Sequence, residues 1–200
     1  MRYGAARLLP LARAIAEHLA RTAAGEHPDA LAQLATAAGN SVPGADVTAE
    51  LGALHAVLAS ALPAGASVAV IADALAACSF PLPWRYHYPL RADAPDLAER
   101  IGFAELFGPA GPLVSESNRI GFTLMAPETY YPWHTHPAVE LYVVISGTAR
   151  WMTATSGREL PPGAFVRHLS NEPHAMRTQR EPLLALYAWS GDIASPAVYL

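Results

Sequence analysis

The stretch YYPWHTHPAVELYVVISG, residues 130–147, carries imidazole, carboxylate and phenol groups at a spacing that suits metal binding. His134, His136, Glu140 and Tyr142 all occupy even positions. Side chains on a β-strand alternate between two faces with a period of two. If the stretch is extended, these four side chains share one face, and the sequence predicts a metal site there.

A second segment, LPPGAFVRHLSNEPHAMR at residues 160–177, contains a further candidate ligand, His174. Pro162 and Gly163 favour a turn between two strands. On the first stretch itself, Val143 and Ile145 fall on the face opposite to the candidate ligands.

Together the two segments resemble the metal motifs of the cupin barrels. The histidine pair is followed after three residues by Glu140 and after six more by Gly147. Glu128 departs from the pattern, because it stands where the family has a glycine. The resemblance implies a mostly β fold with some α structure, in which a C-terminal double-stranded β-helix, or jelly-roll barrel, follows an N-terminal helical region.

A narrower resemblance is to the cupin-type dimethylsulfoniopropionate lyases, above all the Q type. A helical first half before a barrel, in 200 residues, is similar to that family. The resemblance implies a metal-dependent carbon–sulfur lyase that cleaves dimethylsulfoniopropionate by β-elimination to acrylate and dimethyl sulfide. The residues that carry it are Tyr131, His134, His136, Glu140, Tyr142, His174 and Trp189.

The same resemblance implies a ligand set for one divalent transition metal. His136, Glu140 and His174 are expected to bind it, together with Tyr142. His134 is expected either to bind the metal or to lie behind the ligands and contact substrate. Mixed nitrogen and oxygen ligands suit Zn, Fe(II), Mn, Co or Ni, so the sequence does not choose among them.

Three aromatic residues receive expected roles in catalysis or substrate binding. A free tyrosine has a pKa of ~10 and is a poor base at neutral pH, but a neighbouring metal lowers that pKa. The resemblance gives Tyr142 the removal of the α-proton. Tyr131 is expected to position substrate, with the role of base as the competing assignment. Trp189, with Tyr187 at the same parity, is expected to offer an aromatic face to the sulfonium, worth ~0.5–2 kcal/mol.

Other aromatic side chains are predicted to have structural roles. Trp84, Trp133 and Trp151 are expected in the core, and Tyr130 is expected to point away from the site. His168 is expected at the surface or behind the metal ligands.

Apolar residues recur at helical spacing in residues 1–79, which predicts a helical scaffold packed on the barrel or on a second subunit. The predicted helices span residues 5–22, a run from Pro28, residues 47–62 with Thr48 as cap, and residues 68–78.

Residues 80–118 are read as a connecting segment with a short helix at 95–106. Its first part, FPLPWRYHYPL, is too rich in proline for a helix, and its aromatic residues are expected to pack or to line a pocket. From residue 119 to 200, short apolar runs separated by turn residues predict the strands of the barrel.

Composition excludes several classes of function. The net charge is −4 and the 13 Lys and Arg residues do not cluster, so no nucleic-acid partner is expected. Arginines interrupt the apolar N-terminus and no run of 18 uncharged apolar residues occurs, so neither an export signal nor a membrane span is expected. The predicted location is cytoplasmic, and the expected partners are a small-molecule substrate and, for a homodimer, a second copy.

Two rival functions fit the same motifs. One is another cupin metalloenzyme, such as an Fe(II) dioxygenase or an isomerase. The other is a non-catalytic cupin that binds a small ligand. A dioxygenase would consume O₂, whereas a lyase works without it, and a simple binding site has no need of Tyr142 beside the ligands.

Overall fold

The computed structural model describes residues 2–22, 28–40, 42–44, 46–48, 53–62, 68–77, 82–109 and 111–200. The described helices are α1 (Leu9–Thr22), α2 (Pro28–Gly39), α3 (Ala53–Ala61), α4 (Ala69–Ala76) and α5 (Leu97–Arg100), with a 3₁₀ turn at Ala5–Leu8. None of them is long and apolar enough to cross a membrane.

The described strands follow the helices for the most part. They are β1 (Arg2–Tyr3), β2 (Val42–Pro43), β3 (Val47–Thr48), β4 (Ile101–Gly108), β5 (Leu113–Val114), β6 (Asn118–Met125), β7 (Tyr130–Thr135), β8 (Val139–Ser146), β9 (Ala149–Thr153), β10 (Gly157–Leu160), β11 (Phe165–His168), β12 (His174–Thr178), β13 (Leu183–Ser190) and β14 (Val198–Tyr199).

Two larger sheets form the barrel that the sequence predicts. One has five strands in the order β10-β9-β12-β7-β14, and the other has seven in the order β11-β8-β13-β6-β4-β5-β2. Their pairings are antiparallel except for β4 with β5. One apolar cluster draws residues from both sheets, among them Tyr131 of β7 and Val144 of β8. The mostly β barrel preceded by helices confirms the predicted fold class.

Alternation along the strands separates two cores. On β8, Val143 and Ile145 belong to the cluster between the seven-stranded sheet and the helices, which α1 joins through Leu11 and Ile15. Tyr142 belongs to the cluster inside the barrel. The predicted opposition of these faces is confirmed, and helices α1 to α4 contribute to the core on the outer face of the sheet, whereas Leu97 of α5 belongs to the cluster inside the barrel.

Two predicted helices are partly wrong. Val47 and Thr48 do not begin a helix, because they form β3 and pair with β1, and a β-branched residue such as Val47 suits a strand. The helix predicted at 95–106 ends at Arg100, where β4 begins. The predicted end of the fourth helix, at residue 78, lies outside the described residues.

The larger sheet therefore includes part of the predicted connecting segment. Strand β4 pairs with β6 along most of its length. Before it, Arg85 and Phe103 exchange backbone hydrogen bonds of 2.9 and 2.8 Å, so the proline-rich segment lies along β4. The division into 1–79, 80–118 and 119–200 stays a prediction.

Two motif positions have left-handed backbone. Gly147 has φ of 73°, and a Cβ there would lie 1.9 Å from the Pro182 carbonyl oxygen. Glu128, where the cupin pattern has glycine, has φ of 54°. The departure in sequence thus keeps the backbone conformation that glycine favours.

Candidate metal centre and substrate cavity

Three candidate ligands from different strands meet inside the barrel. His136 follows β7, Glu140 lies on β8 and His174 begins β12. Glu140 Oε2 lies 3.0 Å from His136 Nε2 and 3.3 Å from His174 Nε2. All three residues are buried, and their ligand atoms lie within 4.8 Å of one another.

Backbone carbonyls orient the histidine rings. His136 Nδ1 lies 2.9 Å from the Ala138 oxygen, and His174 Nδ1 lies 2.8 Å from the Glu172 oxygen. In the neutral form of each ring, the nitrogen that faces a carbonyl carries the proton, and Nε2 has the lone pair that a metal ion requires. Both Nε2 atoms face Glu140, and His174 Nε2 has no hydrogen-bond partner. The set is therefore prepared to bind a cation.

Glu140 is the anionic member of the set. Its Oε1 accepts a hydrogen bond of 2.7 Å from Trp189 Nε1, which leaves Oε2 for the histidines. Burial opposes the charge, but His136 and His174 together hold the pKa of Glu140 well below its usual value. Burial also lowers the pKa of His136, but the hydrogen bond with Glu140, the charge of Glu140 and backbone hydrogen bonds together outweigh it and raise that pKa.

The residues present fit a transition metal. Two imidazole nitrogens and one carboxylate oxygen are the ligand types of catalytic zinc and related sites, with bonds of about 2.0–2.2 Å. Glu140 Oε2 lies 3.0 and 3.3 Å from the two Nε2 atoms, and ligand atoms at this spacing can bind one shared ion with little rearrangement. Within the described residues, His136, Glu140 and His174 form the group of three candidate ligand side chains whose ligand atoms lie close enough together to share one ion.

His134 lies beside the cluster and not within it. Its ring stands edge-on to His174 at 4.0 Å and stacks on Tyr131 at 3.9 Å. Its Nδ1 faces the Pro132 oxygen at 2.8 Å. Burial, and then the charge of His174, lower the pKa of His134 well below its usual value, so the ring is neutral.

Tyr142 is buried on the same face as Glu140. Its ring packs on Trp151 at 4.7 Å, so Trp151 is a core residue as predicted. Burial, and then the charge of Glu140, raise the pKa of Tyr142 well above its usual value. Without a nearby cation the phenol stays protonated at neutral pH.

Tyr131 is held by a residue that sequence reasoning missed. Its hydroxyl forms a short hydrogen bond with that of Tyr88, which belongs to the proline-rich segment. Tyr88 stacks on Tyr199 of β14 at 4.2 Å. The aromatic richness of the segment is the available signal, but only the fold selects Tyr88.

A cavity of about 360 Å³ opens beside the cluster, within the usual size range of small-molecule sites. It is lined by all the predicted substrate-binding residues and by most of the predicted ligands, namely Tyr131, His134, His136, Glu140, Tyr142 and Trp189. Tyr187 lines it as well, which agrees with its parity. Glu105 and Arg119 line it too, although the sequence did not indicate them.

The remaining predictions have mixed outcomes. His168 is not at the surface, because it is fully buried and stacks on His174 at 3.9 Å with 7° between the rings. Its strand pairs with β8 and places it opposite Glu140. Tyr130 does not line the cavity, and the Arg177 guanidinium covers its ring. Trp84 packs against the helix-facing core, whereas Trp133 is half-buried.

Known proteins are similar to this chain in sequence and architecture. Residues 26–185 match the family model of dimethylsulfoniopropionate lyase. The chain is 37% identical over 131 residues to dimethylsulfoniopropionate lyase DddQ of Ruegeria pomeroyi. The aligned region covers 65% of this chain and 65% of that protein's length. It is 33% identical over 121 residues to the putative dimethylsulfoniopropionate lyase DddL of Cereibacter sphaeroides, covering 60% of this chain and 50% of the other.

A solved structure extends the similarity over nearly the whole chain. The crystal structure of DddQ from Ruegeria pomeroyi superposes with a TM-score of 0.77 at 30% identity, covering 95% of each chain. The helical first half is therefore shared as well as the barrel. By its sequence and its fold, the chain belongs to the dimethylsulfoniopropionate lyase family.

Proposed function

We propose that this chain is a metal-dependent carbon–sulfur lyase that cleaves dimethylsulfoniopropionate to acrylate and dimethyl sulfide. The observation that carries the proposal is the buried cluster of His136, Glu140 and His174, which adjoins a cavity lined by Tyr142 and Trp189. The substrate class comes from the family and from the named relatives.

His136 Nε2, Glu140 Oε2 and His174 Nε2 would hold one divalent ion, with Tyr142 as a further oxygen ligand. Such an ion supplies Lewis acidity, which withdraws charge from the substrate carboxylate and favours the Tyr142 phenolate. Zn, Fe(II), Mn, Co and Ni all accept this mixture of ligands.

Tyr142 is the proposed base. Its oxygen takes the proton from the α-carbon, and the electron pair of that C–H bond becomes the second bond between the α- and β-carbons. The bond between the β-carbon and sulfur breaks, and its electron pair leaves with sulfur as neutral dimethyl sulfide. The remaining three-carbon fragment is acrylate, and the Tyr142 hydroxyl must then return its proton to solvent.

Tyr131 and His134 are proposed to position the substrate. The hydroxyl of Tyr131 is already engaged with Tyr88, and its ring is fixed by the stack on His134. These contacts favour a rigid wall over a mobile base. The competing assignment, Tyr131 as base, is separated from this one by an isotope-exchange measurement described in the Discussion.

Trp189 is proposed to contact the sulfonium. Its indole N–H is held by Glu140, and its ring packs at 4.3 Å from His136, so the side chain has one fixed orientation at the cavity wall. A fixed aromatic face attracts an onium ion by about 0.5–2 kcal/mol.

We also propose that the enzyme is located in the cytoplasm and that it forms a homodimer.

The decisive experiment is headspace detection of dimethyl sulfide from purified protein, metal and dimethylsulfoniopropionate under strictly anaerobic conditions. Equimolar acrylate and dimethyl sulfide without O₂ support the lyase. Product formed only with O₂ would favour a dioxygenase. Binding of the compound without turnover, under every metal tested, would favour a ligand-binding cupin.

A further inference from the structure

The cavity has a second charged region, formed by Glu105 and Arg119. Both residues line the cavity. Glu105 Oε2 lies 3.7 Å from Arg119 Nε, and the side chains are 23% and 31% exposed, respectively. Neither residue takes part in the reaction proposed above.

Strand register places Glu105 across the sheet from the proposed base. Tyr187 stands opposite Tyr142 on one side and opposite Gly121 on the other, and Gly121 stands opposite Glu105. These four residues form one row over β8, β13, β6 and β4. Neighbouring strands are about 4.8 Å apart, so the backbone of Glu105 lies roughly 14 Å from that of Tyr142.

A second row runs beside the first. Trp189 stands opposite Glu140 on β8 and opposite Arg119 on β6. The path from the metal cluster to the Glu105–Arg119 pair therefore passes the two aromatic residues of β13, Trp189 and Tyr187. The cavity thus has a cation-binding cluster at one end, aromatic rings in the middle and a carboxylate beyond them.

A glycine makes room for the carboxylate. A Cβ on Gly108 would lie 2.1 Å from Glu105 Oε1 and 3.4 Å from Arg119 Cγ. A Cβ on Gly121 would lie 2.8 Å from the Tyr187 hydroxyl. The absence of side chains at these positions lets Glu105 lie against β4 and lets Tyr187 extend towards it.

We propose that Glu105 is the counter-charge that binds the cationic end of the substrate, and that Arg119 holds the carboxylate in place. The inference rests on the proposed function, in which the substrate carboxylate binds at the metal cluster. An onium group joined to that carboxylate by two methylene carbons then points along the rows towards Glu105. A partly buried charge attracts it more strongly than a solvent-exposed one.

The aromatic rings attract the onium group through their π electrons, but they carry no full negative charge to oppose its positive charge. Two carboxylates line the cavity among the residues that the structure describes: Glu140, which belongs to the metal cluster, and Glu105, which Arg119 holds. Glu105 therefore selects for positive charge, whereas Trp189 and Tyr187 select for shape and polarisability. A neutral molecule of the same shape would lack the contact with Glu105.

The reaction itself fixes how loss of Glu105 affects kinetics. The sulfur loses its positive charge as the C–S bond breaks, so its attraction to Glu105 is stronger in the ground state than in the transition state. Replacement by glutamine, Glu105→Gln, should raise KM by roughly tenfold and leave kcat unchanged or slightly higher.

The test measures binding to the metal-loaded full-length protein by calorimetry. The probes are 3-(trimethylammonio)propionate, whose amine is a poor leaving group, and 4,4-dimethylpentanoate, which has the same shape and carboxylate but an uncharged tert-butyl end. The wild-type protein should bind the trimethylammonio probe more tightly than the tert-butyl probe, and Glu105→Gln should reduce this preference by roughly tenfold. Glu116→Gln, at an exposed position, should keep it. An unchanged preference in Glu105→Gln would overturn the proposal.

A second variant keeps the charge and moves it. In Gly108→Ala the new methyl group displaces the Glu105 carboxylate, so the preference for the cation should again fall. If Glu105→Gln fails to fold by circular dichroism, this variant decides, and an unchanged preference would overturn the proposal. The calorimetry needs no turnover, so a wild-type protein that releases no dimethyl sulfide would contradict the proposed lyase and leave the measurement on Glu105 valid.

Discussion

The two faces of the seven-stranded sheet differ sharply although they alternate along the same strands. On β8, the outward residues Leu141, Val143 and Ile145 join the core under the helices. The inward residues Glu140 and Tyr142 line the cavity. The outer face is apolar, whereas the inner face buries the Glu140 carboxylate, the phenols of Tyr142 and Tyr187 and the imidazole of His168.

This difference indicates that the outer face stabilises the fold and that the inner face carries the chemistry. Buried apolar groups stabilise the fold at about 25 cal/mol for each Å² removed from water. Buried polar groups destabilise it unless they are paired. On the inner face Glu140 is paired with His136 and Trp189, yet His174 Nε2 has no hydrogen-bond partner. We therefore expect substitutions on the inner face to change chemistry and those on the outer face to change stability.

The largest effect is expected from the metal ligands. His136→Ala, Glu140→Ala and His174→Ala should each lose most bound metal, and activity should fall by about 10³-fold or more, since metal catalysis contributes several kcal/mol. Mass spectrometry of bound metal and headspace gas analysis measure these effects. Thermal melting should show that metal stabilises the wild-type protein and none of the three variants.

The exposed Glu181→Ala is the control for these variants and should keep metal and activity. Full metal occupancy in one of the three alanine variants would remove that residue from the ligand set. Circular dichroism should show the helical half intact in every case, because the helices contact the other face of the sheet.

A somewhat smaller effect is expected from Tyr142→Phe. The substitution removes the hydroxyl and keeps the ring on Trp151, so activity should fall ~10²–10⁴-fold, the usual contribution of a general base. Metal and substrate analogues should still bind. In the wild-type protein the rate should rise with pH, because the phenolate is the active form and is depleted at low pH.

Solvent deuterium exchange at the substrate α-carbon separates the two tyrosines. Exchange should vanish in Tyr142→Phe and persist in Tyr131→Phe, whose loss should appear mainly in KM. The reverse pattern would make Tyr131 the base and leave Tyr142 as a ligand or packing residue.

His168 sharpens the comparison, because it is an inner-face residue that should affect stability. Burial, and then the charge of His174, lower the pKa of His168 to about 3. The unfolded chain titrates near 6.5, so below that pH the unfolded state binds a proton that the folded state does not. Stability should therefore fall by up to about 1.4 kcal/mol for each pH unit below 6.5.

Urea unfolding between pH 4 and 7 tests this prediction. His168→Phe keeps an aromatic ring against His174 and removes the titration, so its stability should fall less steeply with acidity. Equal slopes for wild type and variant would show that His168 does not contribute. A metal ion bound nearby would also disfavour protonation of His168. Stability should therefore fall with acidity whether or not metal is bound.

The smallest effect is expected on the outer face. Ile145→Val removes one buried methyl group and should lower the free energy of unfolding by about 0.5–1.5 kcal/mol. Activity at 25 °C should stay within about twofold of wild type, since the side chain points away from the cavity. A large loss of activity at unchanged stability would show that the two faces are coupled.

Much of the site was predictable because alternation along a strand is a local property. Parity places Glu140 and Tyr142 on one face of β8, and the cavity wall includes both, together with His134 and His136. The stretch is not one extended strand as expected, because it turns between β7 and β8, which belong to different sheets, and only the barrel brings the four side chains together. Trp189 and Tyr187 followed from the same rule on β13. The helices at α1 and α2 were predictable for a similar reason, since their apolar stripe repeats within the segment itself.

The error at residues 95–106 also has a physical cause. The sequence IGFAELF is apolar except for Glu105, and such a run has no period that separates a strand from a buried helix. Only its pairing with β6 makes it a strand. A register shift between Glu105 and Phe107 then turns Phe107 towards the helices.

By itself the sequence determined the fold class and the inward-facing residues of single strands. Apolar residues repeat every two positions in a strand and every 3.6 in a helix, and these repeats can be recognised within a short segment. The tertiary structure alone decided that Tyr88 meets Tyr131, that His168 stacks on His174 and that Glu105 reaches the cavity with Arg119. These contacts join residues on separate segments. Their distances depend on strand order and register, which are set by packing over the whole barrel.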